Sequence, residues 1–122
     1  MSQFQYVFKS SLALVLMGAA ALAQAHGKLT DSLPKADSLL DTTPSQIRLQ
    51  FNESLEPAFS TLRLRDAHNA LIPVTATARD QLHPDLLIAT PPTLRSGKYK
   101  LEWSVVTHDG HKTKGAFSFA VK

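Results

Sequence analysis

The most regular alternation of apolar and polar positions lies near the C-terminal end of the chain. Tyr99, Leu101, Trp103 and Val105 alternate with Lys98, Lys100, Glu102 and Ser104. Phe117, Phe119 and Val121 alternate with Ala116, Ser118 and Ala120. A period of two predicts half-buried strands, one from Lys98 to Val106 and one over residues 117–121. The polar segment between them carries Gly110 and Gly115, and the whole stretch reads as a β-hairpin.

Upstream, the pattern predicts shorter strands divided by turn residues. Residues 28–33 suggest one short strand, followed by a loop punctuated by Pro34 and Pro44. Ile47, Leu49 and Phe51 share one face of a strand over residues 46–51, which Asn52-Glu53-Ser54 turns. Leu62 and Leu64 define the next, over residues 59–65. Asp66-Ala67-His68-Asn69 is a turn signal. Residues 70–78 form a weaker strand whose Pro73 belongs at a sheet edge. His83-Pro84-Asp85 turns again before a strand over residues 86–89, which Pro91-Pro92 ends. Tyr99 opening a strand after Leu94-Arg95-Ser96-Gly97, with Trp103 inward behind it, suits the corner of a β-sandwich. Six or seven short strands and no amphipathic run of helical length imply an all-β Greek-key β-sandwich or barrel.

The N-terminal end follows neither period. Leu12 to Ala23 is an apolar run preceded by Lys9 and followed by Ala23-Gln24-Ala25. It is too short to span a bilayer as a helix. Small residues at its end mark residues 1–25 as a secretory signal peptide, with cleavage leaving His26 first. The 97 residues from His26 on suit one small domain. Removing Lys9 lowers the formal net charge from +3 to +2, and the basic residues are spread among acidic ones along the chain. That pattern disfavours nucleic-acid binding. The sequence has no cysteine, and its methionines are Met1 and Met17, so the exported domain would hold no sulfur ligand.

Candidate chemistry lies at the two ends of that domain. An N-terminal His26 would offer an α-amine and an imidazole placed to chelate one ion. The amine's reference pKa of roughly 7.7–8.0 lets a metal displace its proton at neutral pH. The hairpin connection adds His108, Asp109 and His111. His26, Asp109 and His111 together could supply an amine nitrogen, two imidazole nitrogens and a carboxylate oxygen. Such a sulfur-free set suits tetragonal Cu(II), and less selectively Ni(II) or Zn(II). Asp109-Gly110 is equally a plain hairpin turn signal. His68 and His83 lie in turn signals and read as exposed loop residues.

Residues 103–121 fit W-x-V-V-[ST]-x-D-G-H-x-x-x-G-x-F-x-F-x-V, which resembles the C-terminal signature of the CopC family of periplasmic copper-resistance proteins. AHGKL at the start of the exported domain, SLPKAD, Phe51-Asn52-Glu53, PAFSTLRLRD and L-x-x-G-x-Y-x-L-x-W agree with it. The resemblance covers His26 to Lys122 and implies a cupredoxin-like or immunoglobulin-like fold. It implies one Cu(II) per chain, held by His26, Asp109 and His111, with Glu53 orienting a ligand and His108 a bystander. It also implies a copper carrier or buffer, with an inner-membrane transporter of the CopD type as partner. Some members hold Cu(I) in a methionine-rich loop, for which this sequence lacks the residues.

Two other functions compete with the carrier. A histidine-brace copper oxidase or monooxygenase would need a broad substrate face and an open metal position. Most aromatic residues here alternate inward, and a carboxylate ligand would fill that position. A metal-free β-sandwich interaction module would be silent in a copper titration.

Overall fold

The computed structural model describes residues 28–80 and 82–122. Among the described residues, nine strands form two sheets. The first sheet has the order β1 (Leu29–Leu33), β3 (Ile47–Phe51), β7 (His83–Thr90), β6 (Thr75–Asp80). The second has the order β2 (Leu39–Leu40), β9 (Lys112–Val121), β8 (Gly97–Val106), β4 (Thr61–Asp66), β5 (Leu71–Ile72). All pairings are antiparallel except that of β2 with β9. The chain changes sheets five times among these strands, so its hairpins are joined by crossovers, as expected of a Greek-key sandwich.

The alternating positions meet between the sheets. Ile47, Leu49 and Phe51 of β3 and Leu87 of β7 pack in one core with Leu62, Leu64, Leu101, Val105 and Phe119 of the second sheet. Tyr99 stacks on Phe119, and its hydroxyl donates to the Arg95 carbonyl at 2.7 Å. This bond pins the turn before β8, as the placement of Tyr99 predicts. Among the described residues, no helix is long and apolar enough to cross a membrane. The proposed signal peptide and His26 lie outside the described residues.

Several boundaries differ from the sequence expectation. Residues 112–116 are strand, and β8 and β9 pair continuously from Gly97↔Val121 to Val106↔Lys112. Their polar character has two sources. Lys112, Lys114 and Ala116 face outward, and the inward slot at 115 faces the indole of Trp103. A Cβ at Gly115 would overlap that ring, so the slot admits no side chain. Residues 70–78 are not one strand. Pro73 splits them into β5 and β6, at the edges of opposite sheets, where the missing N–H costs no ladder bond. His83-Pro84-Asp85 belongs to β7, and the turn falls at Leu82. Phe59 ends a short 3-10 turn, Pro57–Phe59, so β4 starts at Thr61. The two-residue strand β2 replaces part of the expected loop and is too short to show a period.

Candidate metal centre

The connection between β8 and β9 is the five-residue segment 107–111, narrower than the polar stretch in the sequence. Its anchor is Thr107, whose side chain and backbone are fully buried. The Thr107 N–H donates to the His111 carbonyl at 2.9 Å, and Gly110 N–H returns to the Thr107 carbonyl at 2.9 Å. Gly110 has φ +91°, a left-handed value that favours glycine and lets the chain reverse. Thr107 also bridges to Leu55, outside the hairpin.

The Thr107 hydroxyl organises the two candidate ligands of the loop. It donates to Asp109 Oδ1 and accepts the His111 backbone N–H at 3.1 Å. Asp109 Oδ1 stands 2.9 Å from His111 Nδ1. Hydrogen bonds from the Thr107 hydroxyl and then from the His111 ring hold the Asp109 carboxyl well below the usual carboxylate range. The same Asp109 contact raises the His111 pKa, and the charge of Glu53 adds to it. Thus Asp109, His111 and Glu53 share one electrostatic neighbourhood. Two donor atoms on adjacent corners of a tetragonal ion, each bonded at about 2.0 Å, stand about 2.8 Å apart. The 2.9 Å between Asp109 Oδ1 and His111 Nδ1 is compatible with this edge.

His108 points to a different partner. Its Nδ1 is 3.0 Å from Glu56 Oε1, and its backbone N–H donates to the Ser54 carbonyl at 2.8 Å. Glu56 is presented by the 3-10 turn, which is tied to β8. Glu56 N–H donates to Val106 O at 2.8 Å, while the buried Ser60 hydroxyl donates to Glu56 O and accepts Val106 N–H. Sequence reasoning did not find Glu56, since nothing in the spacing links residues 56 and 108. It also assigned no task to Thr107, although a hydroxyl residue beside Asp109 was the available signal.

The start of the described chain arrives at the same end of the sandwich. Lys28 and Asn52 clasp each other: Lys28 N–H donates to Asn52 Oδ1 at 2.8 Å, and Asn52 N–H donates to Lys28 O at 3.0 Å. Asn52 precedes Glu53 and Ser54, the segment that contacts the loop. His26 is two residues before Lys28 and lies outside the described residues. Among the described residues, no three His, Cys, Asp or Glu side chains form a metal-binding group. His68 lies in the β4–β5 turn, at the opposite end of β4, and His83 opens β7.

Comparison with known proteins agrees with this architecture. Residues 29–122 match the model of the CopC domain. The chain is 37% identical over 127 residues to copper resistance protein C of Xanthomonas campestris pv. juglandis, covering 96% of this chain and 99% of that one. It is 35% identical over 99 residues to protein YobA of Escherichia coli K12, covering 80% of each. The crystal structure of PcoC, a methionine-rich copper resistance protein from Escherichia coli, superposes with a TM-score of 0.71 at 30% identity. That match covers 80% of this chain and all of PcoC. The chain belongs to the CopC domain family.

Proposed function

We propose that this chain is a copper-binding protein of copper resistance or homeostasis, exported to the periplasm by residues 1–25. It binds one Cu(II) at the loop end of the sandwich, through the α-amine and imidazole of His26, the carboxylate of Asp109 and the imidazole of His111. Its work is to carry or buffer copper, not to catalyse a reaction, and an inner-membrane transporter of the CopD type is its partner.

The observation that carries the reading is the anchoring of Asp109 and His111 side by side on one buried threonine. The clasp of Lys28 on Asn52 supports the part played by His26. Two residues reach at most about 7 Å, and the reading requires His26 to lie within that reach of Lys28, whose partner Asn52 adjoins Glu53. Relatives named for copper resistance support the choice of metal. The absence of methionine after Met17 supports Cu(II) over Cu(I), because soft sulfur donors select the reduced ion. PcoC, described as methionine-rich, differs from this chain in that respect.

The test is a spectroscopic Cu(II) titration of protein whose first residue is confirmed as His26, beside a form carrying one extra residue before it. The expected result is one tight equivalent in the first form and a loss of affinity of at least about tenfold in the second, because the chelating amine becomes an amide. Equal affinity in both forms removes His26 from the site. No binding in either removes copper from the function. A parallel anaerobic titration should show no separate Cu(I) site.

A further inference from the structure

The sequence scatters its basic residues, but the fold gathers half of those in the domain on one surface. Lys98 and Lys100 of β8, Arg63 and Arg65 of β4, and Lys112 and Lys114 of β9 all occupy outward positions of the second sheet. The register makes them neighbours: Arg65 is opposite Lys100, and Ser104 is opposite Lys114. Outward residues on one strand are about 7 Å apart and adjacent strands about 4.8 Å apart. Glu102 is the acidic side chain in this array. It binds Arg65 at 2.8 Å and approaches Lys100 at 3.7 Å, leaving a strong excess of positive charge. Asp37 and Asp66 stand only at the far margin, beside Lys98. The Asp66 carboxylate there accepts the backbone N–H groups of His68 and Ala70.

Two further features define what such a face can meet. Its edge strands each present an exposed leucine, Leu39 on β2 at 60% exposure and Leu71 on β5 at 56%. Between Arg63, Arg65 and Lys114, with Glu102 and Trp103 also in its lining, lies a shallow open depression of about 390 Å³, large enough for a phosphate headgroup.

We infer that the outward face of this sheet is a docking surface for an anionic phospholipid bilayer. The remaining outward positions of β8 and β9 are Ser104, Val106, Ala116, Ser118 and Ala120, without an aromatic side chain. Lysine, serine and alanine are depleted in specific protein interfaces, which favour aromatic anchors. Single-stranded nucleic acid is held largely by aromatic stacking, and the aromatic residue lining the depression, Trp103, packs its indole inward on Phe51 and Phe117. Exposed lysines spread over one sheet face, flanked by two exposed leucines, instead match a fluid array of phosphates over an acyl layer. Docked this way, β8 and β9 lie along the bilayer, and their 107–111 connection sits at the rim of the contact. The metal loop would then face laterally along the membrane, toward proteins embedded in it. The docking itself requires no metal and stands apart from the copper reading.

The experiment is vesicle co-flotation of the protein recovered from the cell envelope, its N-terminus determined by mass spectrometry. Vesicles contain phosphatidylglycerol and phosphatidylcholine at 3:7, or phosphatidylcholine alone. Binding is expected only with phosphatidylglycerol, and should fall by roughly tenfold or more between 50 and 300 mM salt as the charges are screened. Lys98→Gln/Lys100→Gln/Lys114→Gln should lower the partition coefficient about tenfold or more. The triple variant Lys28→Gln/Lys35→Gln/Arg48→Gln removes the same charge from outside this sheet and should bind within about twofold of the parent. Leu39→Ser/Leu71→Ser should weaken binding yet preserve its salt dependence. Circular dichroism confirms that each variant is folded. Absence of binding to phosphatidylglycerol vesicles overturns the proposal, as does equal binding to phosphatidylcholine. Equal loss in the two triple variants also overturns it, since binding would then follow net charge and not this face.

Discussion

The two flanks of the hairpin connection carry similar groups in different settings. On one flank His111 meets Asp109 at 2.9 Å, and on the other His108 meets Glu56 at 3.0 Å. Each pair is an imidazole and a carboxylate near solvent. The first is tied to the fully buried Thr107, which bonds both Asp109 and the backbone of His111. The second joins a side chain on the loop to one on a 3-10 turn, and the His108 side chain is 82% exposed. Contact distance alone does not distinguish these pairs. The difference is the anchor, because a ligand held in place loses less freedom when a metal arrives.

The largest expected effect is at the anchored histidine. His111→Ala should weaken Cu(II) binding by roughly a hundredfold and alter its visible spectrum, through loss of an imidazole donor. A calorimetric or competition titration that shows a larger loss in His108→Ala would reverse the comparison.

Thr107→Val comes next. It keeps the shape but leaves the His111 N–H without its hydroxyl partner and frees the Asp109 carboxylate to rotate. Affinity should fall about 10–100-fold, the usual cost of losing a group that orients a ligand. Stability should fall by about 1–3 kcal/mol in urea unfolding. Thr107→Ser restores the hydroxyl and should recover most of the affinity. If Val and Ser behave alike, the hydroxyl is not the anchor.

Gly115→Ala tests the strand that delivers the anchored flank. The added Cβ would come within 2.9 Å of Trp103 Cε2, and closer to Cζ2, at a pairing with no slack. The expected loss is about 1–3 kcal/mol in unfolding free energy, with copper affinity changed less.

The pH response provides a smaller, direct reading of the Asp109–His111 contact in metal-free protein. Asp109 holds the proton on His111, so the imidazole should titrate above about 6.5 in a histidine NMR titration. The contact stabilises the fold fully below that unfolded value, and the contribution fades as pH rises through the higher folded value. Asp109 has the opposite sign: its contribution is present above about 3.8 and is lost as pH falls toward its depressed folded value. Asp109→Asn should return the His111 midpoint toward about 6.5. An unchanged midpoint would mean that the carboxylate does not govern the ring.

The smallest effect belongs to the unanchored pair. His108→Ala and Glu56→Gln should each change Cu(II) affinity by less than about threefold, since exposed ion pairs contribute little.

Most of the fold was legible in the sequence wherever apolar positions alternated for several residues. The core strands β3, β4 and β8 follow from Ile47-Leu49-Phe51, Leu62-Leu64 and Tyr99-Leu101-Val105, because a period of two can bury only one face. The tyrosine corner and the Asp109-Gly110-His111 turn were equally local. Length and turn residues thus determined a small β-sandwich with a polar hairpin connection, and named the loop's candidate ligands. Tertiary structure alone decided what those residues meet. It extended β9 back to Lys112 by pairing Gly115 with Trp103, split residues 70–78 between two sheets, and brought Glu56 to His108. It set Thr107 beneath Asp109, and it turned scattered lysines into one basic face. These outcomes depend on register and on contacts between residues up to 52 positions apart. A local alternation shows which way a side chain points, but not which distant strand will lie beside it.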